Sequence, residues 1–401
     1  MPDTKYVLDL QVTGAAQVMV YDYAGVDSIV VNGIYDPPVE ISLGWTLLNG
    51  KSMMAGAVYF GFDGMWHRLL VNGVVENASG SNGHDSILGN ELDNRLSGDR
   101  MATGIGGNDT LRGGSGNDFI RGGSGSDRLY GDADDDELFG NDGADTIFGG
   151  SGADTIDGGA GADALSGGGS AGDTLSYATS RAGVQVDLTV GLATTGRGGD
   201  AEGDQIDGFL NVIGSRFRDK IVDTATQTLG GGANDNQAFG NGGRDQLFMG
   251  GGNDSLYGGK GNDMLMGMMG NDALYGGSGK DRIIGGYGQD TLYGGSGADL
   301  FTFKSTVDSS ATFGFSDQIT DFLASERDRI DLRTMDADRT TGGNQALTLI
   351  NGAFTGQAGE LRLTASGADL MVMGDVSGNG QADFAIRVLN TSTLTATDFF
   401  L

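Results

Sequence analysis

Carboxylates at a fixed interval are the chemistry most plainly written in this chain. Aspartates fall at Asp109, Asp118, Asp127, Asp136, Asp145, Asp154 and Asp163, each nine residues after the last. A second series runs through Asp245, Asp254, Asp263, Asp272, Asp281, Asp290 and Asp299 at the same interval. Two residues after each stands an apolar side chain, from Leu111 to Leu165 and from Leu247 to Phe301. Asp85 and Asp173 carry the same pattern just outside the first series. Like charges brought together in a fold repel, so such a series asks for a cation. Calcium suits it, since it takes about 6–8 oxygen ligands in a flexible geometry, whereas magnesium demands a tighter octahedron and keeps its water.

The remaining ligands are expected from the backbone. The repeating unit reads G-G-x-G-x-D-x-U-x, with U apolar. Gly114, Gly116, Gly123, Gly125, Gly150 and Gly152 in the first series are candidate carbonyl donors. So are Gly259, Gly261, Gly277, Gly279, Gly286, Gly288, Gly295 and Gly297 in the second. Pairing aspartates two units apart gives on the order of ten ions.

Each letter of the unit also predicts local structure. Glycine permits positive φ and close backbone approach, so G-G-x-G is a tight turn. The x-U-x tail is a short strand with one side chain inward. Nine residues make half a coil and eighteen return the chain over itself. The expected fold class is all-β: two parallel β-roll blocks, with β-sandwich-like insertions and a C-terminal β domain.

Composition agrees. The chain has 401 residues, 76 glycines, 3 prolines and no cysteine, and its net charge is −30. Without cysteine, disulfides and thiolate zinc sites are excluded. An anionic surface repels phosphates, so nucleic acid and anionic membranes are not expected partners. No apolar run is long enough for a transmembrane helix. The start, "MPDTKYVLDL", lacks the basic and apolar regions of a cleavable signal peptide.

The nonapeptide resembles the RTX (repeats-in-toxin) family, whose calcium-binding repeat has this form. The resemblance is strong over about 80–172 and 230–303. It implies calcium binding and export from Gram-negative bacteria. Departures occur at Asn94, at the short unit Gly98 to Thr103, at Met268 and Met269, and in "GDADDDELF" from Gly131. Ion sites beside them are expected to be weak or missing.

Five parts follow. Residues 1–79 read as an N-terminal β cap, 80–172 as the first roll, and 173–229 as a β insertion. Residues 230–302 are the second roll and 303–401 a separate C-terminal unit. Val39, Ile41 and Leu43 in the cap are echoed by Val184, Val186 and Leu188 in the insertion. "NASGSNGHDSI" is likewise echoed by "NVIGSRFRDKI". Solenoids need covered ends, so the two copies are expected to cap the rolls. The last part is similar to the C-terminal domain of serralysin-type secreted proteases. That resemblance implies an uncleaved C-terminal signal for a type I (ABC) exporter, here Asp398-Phe399-Phe400-Leu401.

No enzyme is expected. The only histidines are His67 and His84, and no H-E-x-x-H occurs. The G-x-S-x-G match around Ser170 lies between repeats, not at a strand-to-helix elbow. "DVSGNGQAD" begins like an EF-hand loop at Asp375, but its twelfth position is Ile386; an ion-free turn and an extra calcium site both remain open. Two functions stand. One is a secreted, calcium-assembled scaffold in a surface layer, biofilm matrix or adhesion role, with self-association or cell-surface contact. The other is an accessory or degenerate part of an enzyme system. That part would be a protease-less serralysin homologue, or a polysaccharide-binding module like the RTX modules of mannuronan epimerases, with Arg100, Arg112, Arg121 and Arg128 as its basic stripe.

Overall fold

A computed structural model describes residues 79–80, 84–99, 106–170, 172–189, 194–223, 235–312, 314–338 and 345–401. Between 16 and 78 it describes the backbone of six strands only. Two compact units result: 1–180 with 192–211, and 181–191 with 212–401.

The period of eighteen dictates the first unit. Strands Asp85–Leu88, Thr110–Gly114, Arg128–Ala133, Thr146–Ser151 and Ala164–Ser166 pair in parallel, in register by U position. The other face stacks Arg95–Ser97, Phe119–Ser124, Glu137–Asp142, Thr155–Ala160 and Thr174–Ser176 the same way. Their U side chains alternate inward and form the core: Leu111, Ile120, Leu129, Leu138, Ile147 and Ile156 are fully buried. Burying each contributes roughly 1.5–3 kcal/mol.

The second unit repeats this plan. Lys220–Val222, Gln246–Phe248, Met264–Met269, Arg282–Tyr287, Leu300–Thr302 and Arg329–Asp331 form one parallel face. Ser255–Gly261, Ala273–Gly279, Thr291–Gly297 and Asp317–Ile319 stack on the other. A three-stranded antiparallel meander, Glu360–Ser366, Asp369–Asp375 and Phe384–Val388, follows and joins this second face. Among the described residues the only helices are two short 3-10 turns.

The segment 173–229 supplies strands to the rolls. Thr174–Ser176 and Gln205–Asp207 extend the two faces of the first. Gln185–Asp187 pairs with Lys220–Val222 on a face of the second. In the N-terminal part Ala16–Tyr23 pairs antiparallel with Val26–Gly33, and Val39–Ser42 with Ala57–Phe60. Leu43 and the side chains of Val39 and Ile41 lie outside the described residues.

Among the non-glycine residues at positive φ in the repeat turns, Met268 is the one that is not Asp or Asn. Met268 takes a turn position at φ 70°, where a side chain costs about 1–2 kcal/mol. Met268→Gly is therefore expected to stabilise the second roll. The gain is about 0.5–1 kcal/mol after glycine's own entropic cost, read as a raised denaturation midpoint in calcium.

Candidate metal ladder

Each turn delivers its aspartate to an edge of the roll, where coils stack. The amide N–H of Asp109 donates to Oδ1 of Asp127 at 2.7 Å, and that of Asp127 to Oδ1 of Asp145 at 2.7 Å. The series begins at Asp85 and continues through Asp163. The opposite edge runs Asn94, Asp118, Asp136, Asp154 and Asp173. In the second roll one edge links Asp245, Asp263, Asp281 and Asp299. The other links Asn236, Asp254, Asp272 and Asp290. Every ladder aspartate predicted from the repeat is at most 2 % exposed.

One oxygen of each carboxylate is therefore used, and the other is the question. Oδ2 of Asp109, Asp118, Asp127, Asp136, Asp145, Asp154 and Asp163 is buried without a hydrogen-bond partner. The same holds for Asp245, Asp254, Asp263, Asp272, Asp281, Asp290 and Asp299. An unsatisfied buried charged group costs more than the roughly 1–3 kcal/mol of a neutral one. Repetition of that cost at every coil marks a missing positive partner.

The space beside most of these orphans is kept open by the first glycine of the unit; before Asp254 that place is taken by Met249. A Cβ on Gly276 would lie 2.6 Å from Asp281 Oδ2 and 2.6 Å from the carbonyl oxygen of Gly294. On Gly258 it would meet Gly276 O at 2.6 Å and Asp263 Oδ2 at 2.7 Å. Neither glycine has positive φ, so space and not backbone conformation excludes a side chain. Carboxylate and next-coil carbonyl thus converge on one small cradle. Among the described residues no three His, Cys, Asp or Glu side chains gather as a metal site, so the donor set must mix carboxylate with main-chain oxygen. That is the hard-oxygen set calcium takes, and the residues fit it. A bound calcium would supply the charge that lets neighbouring carboxylates share an edge.

The glycines expected from the sequence as carbonyl donors share one backbone conformation. Gly114, Gly116, Gly123, Gly125, Gly150, Gly152, Gly259, Gly261, Gly277, Gly279, Gly286, Gly288, Gly295 and Gly297 have φ between +92° and +142°. They shape the turn. Most lie against a carbonyl of the preceding coil, as Gly277 does against Gly259 O.

Sequence spacing missed the ladder's ends. Asp204 accepts the Asp163 N–H, Asp317 that of Asp290, and Asp328 that of Asp299. Asp219 donates its own N–H to Asp245. Each stands in a D-x-I triplet, a signal the nine-residue count passed over because long insertions intervene. Protein donors close most of these ends. Tyr177 donates its hydroxyl to Asp204 Oδ2, Ser215 its N–H to Asp219 Oδ2, and Leu323 its N–H to Asp328 Oδ2. Asp173 departs from expectation in the same way. Gly169 and Ser170 amides occupy its Oδ2, because one extra residue in that turn folds the loop back onto it. It caps the ladder and has no orphan oxygen to offer a metal.

Other candidates resolve similarly. Asp375 accepts the Gly378 and Gly380 N–H groups at 2.7 Å, and Asp383 those of Val376 and Ser377 at 2.8 Å. Both oxygens of Asp375 and one of Asp383 accept amides of the loop's own backbone. His84 Nδ1 accepts the Asn108 N–H at 2.6 Å; the His67 side chain lies outside the described residues. The Ser170 hydroxyl accepts the Gly152 N–H at 3.4 Å within a repeat turn. The arginines form no single stripe. Arg112 is paired with Asp132 on one face with Arg128, Arg121 lies on the other face, and Arg100 is outside the described residues.

Burial raises the ladder carboxyls. Asp109 is pushed up to about 9 by desolvation, with the charges of Asp127, Asp85 and Asp99 adding to it. Asp136, Asp145 and Asp245 rise to about 8, and Asp127 and Asp299 to about 6, again chiefly by burial. A carboxyl raised in the fold holds its proton more tightly there than in the unfolded chain, where its pKa is about 3.9. Protons then substitute for the cation. In chelator, sheet content is expected to be greatest near pH 4 and to fall as pH rises through about 6 to 9. Circular dichroism against pH reads this; a metal-free sheet that strengthens with rising pH would contradict it.

Comparison with known proteins fits this geometry. The RTX calcium-binding nonapeptide repeat family matches residues 103–138 and 139–172, and the peptidase M10 serralysin C-terminal family matches 210–401. The chain carries RTX repeats and a serralysin-type C-terminal region. RTX repeats bind calcium, and both kinds of region are non-catalytic and typical of secreted proteins. Similar solved structures include two subunits of the Azotobacter vinelandii mannuronan C5-epimerase. One is 25% identical, covering 46% of this chain and 78% of that one with a TM-score of 0.20; the other is 23% identical, covering 47% and 91% with 0.24. The extracellular lipase of Serratia marcescens is 18% identical, over 72% of this RTX-repeat chain and 40% of the lipase, with a TM-score of 0.19. Among curated proteins none matches. Among the described residues no helix is long and apolar enough to cross a membrane.

Proposed function

We propose that this chain is a secreted, non-catalytic scaffold whose rolls are assembled outside the cell by calcium. Its role is structural: surface layer, biofilm matrix or adhesion. The observation that carries the reading is the row of buried, partnerless Oδ2 atoms, most of them beside a glycine cradle. The ladder aspartates from Asp109 to Asp163 and Asp245 to Asp299 hold on the order of ten ions with loop carbonyls. In calcium-poor cytosol the uncompensated carboxylates keep the repeats unfolded, which suits passage through a type I exporter. The C-terminal signal fits the same order of events. Phe399–Phe400 pairs as a strand with Arg329–Asp331, and Phe399 is buried. An exporter can read that signal only before the region folds.

Calcium-loaded protein is expected to self-associate or bind cells, and chelation to reverse it. Light scattering and electron microscopy test this. A calcium-loaded chain that stays monomeric and binds neither cells nor polysaccharide removes the scaffold reading.

One observation favours the accessory reading. Arg95 and Arg121 lie over Phe119 at 4.1 and 4.8 Å from the ring centre, and neither is in an ion pair among the described residues. Such cations suit an acidic polysaccharide. Retardation on alginate gels that Arg95→Ala abolishes would support it.

A further inference from the structure

One outward face of the second roll carries an aromatic ridge and no charge. Each of its strands presents two side chains to the outside, one on either side of the buried U residue. The later position holds Phe239, Tyr257, Tyr275 and Tyr293 on successive coils. The first three rings stack nearly parallel at 4.7 and 4.8 Å, and the fourth follows at 6.1 Å. Tyr275 and Tyr293 are nevertheless 36 % and 42 % exposed. Stacking along the roll covers the ring faces, so the ridge offers ring edges and hydroxyls to the outside.

A trough runs beside it. Two residues back on each strand, and so about 6.6 Å away, stand the short side chains of Ser255, Ala273 and Thr291, with Gln237 and Gln318 at the ends. The other three roll faces place cations in the equivalent positions: Arg95 and Arg121, Arg112 and Arg128, Lys220 and Arg282. A charge-free face is therefore a local property of this one, in a chain of net charge −30.

We propose that this face packs against the same face of a second copy of the chain, about a two-fold axis parallel to the ridge. Rotation about that axis swaps ridge and trough across the contact and keeps the coils level. Tyr257 and Tyr293 then face Ser255 and Thr291 of the second copy, hydroxyl to hydroxyl, and Tyr275 faces its Ala273. Two features favour a second copy over another occupant. Copies that repel through their net charge approach best where neither presents any, and the buried centre of an interface is poor in charge and rich in tyrosine. A copy also repeats at the same strand spacing, so every ridge side chain meets an equivalent trough position. A sugar stacked on an aromatic residue needs an open ring face, which the ridge does not offer. The proposal rests on the scaffold reading and gives it a contact. A two-fold contact closes on itself and yields a pair; four coils make it small and weak.

The test is sedimentation velocity of the full chain in calcium over a concentration series. Wild type is expected to run as monomer and dimer in exchange. Tyr275→Lys and Ala273→Glu each put an unpaired charge into the contact and are expected to weaken the pair by about tenfold or more. Both side chains point outward, so the circular dichroism of the calcium-loaded chain should not change. Mixing the two variants should restore the pair, because the introduced lysine of one faces the introduced glutamate of the other. Phe148→Lys, at an aromatic residue of the first roll that is 42 % exposed, should leave association as it is. If Tyr275→Lys does not fold, Ala273→Glu decides. Equal association of wild type and variants overturns this face and leaves the scaffold reading standing. Loss in both variants without recovery on mixing overturns the ridge-in-trough pair. Wild type that stays monomeric but is retained on a neutral glucan through Tyr275 gives the face to a sugar and overturns the pair. A monomer that binds neither cells nor polysaccharide overturns the pair and the scaffold reading together.

Discussion

Excess chelator at neutral pH is expected to abolish most of the far-UV β-sheet signal of the calcium-loaded chain, and added calcium to restore it. The magnitudes decide this. At least fourteen ladder carboxylates keep a buried oxygen without a partner. Leaving a buried polar group unsatisfied costs about 1–3 kcal/mol, and more when it is charged. A folded domain has only about 5–15 kcal/mol in hand. The apolar core cannot carry that deficit: each coil buries one U side chain per face, worth roughly 1.5–3 kcal/mol, against one such carboxylate per turn. With calcium the same carboxylates become ligands, and binding free energy becomes folding free energy. The transition should therefore be steep in calcium and cover both rolls. The C-terminal meander should respond less, since both oxygens of Asp375 and one of Asp383 accept amide donors of their own loop. A sheet spectrum indifferent to chelator at pH 7 would sink the cation reading of the ladder.

The regular part of this structure was legible because one physical constraint repeats. A coil of eighteen residues forces glycine, aspartate and an apolar residue back to the same places, so counting by nine finds Asp109 to Asp163 and Asp245 to Asp299 together with their core. Counting failed wherever a turn was lengthened. Asp204 and Asp328 do the ladder's work 41 and 29 residues after their partners, and only the D-x-I triplet marks them. It failed again at Asp173, ten residues after Asp163, where the added residue turned loop amides onto the second oxygen. Glycine roles were half legible. Turn glycines announce themselves by doubling, but nothing in a sequence separates a glycine needed for positive φ from one needed for empty space. That distinction required knowing where the aspartate's second oxygen points.

The distinction yields the second large effect. Gly276→Ala and Gly258→Ala are expected to destabilise the calcium-loaded chain, although the usual sign is opposite. At a glycine whose φ an L-residue can adopt, alanine commonly adds about 0.4–1 kcal/mol by restricting the unfolded chain. Gly276 has no positive φ, so backbone considerations alone predict that gain. The new methyl would instead sit 2.6 Å from both Asp281 Oδ2 and Gly294 O, which are the two oxygens the cation needs. Overpacking of this kind costs about 1–3 kcal/mol by itself, and displacing the ion leaves the carboxylate buried and unpaired. A net loss of roughly 2–4 kcal/mol follows, with reduced calcium affinity as its signature. Asp281→Ala should cost a similar amount, and the double variant little more than either, because both remove one site. Additive losses, or a Gly276→Ala chain at least as stable as wild type in saturating calcium, would mean that the space beside the carboxylate is not where the metal sits.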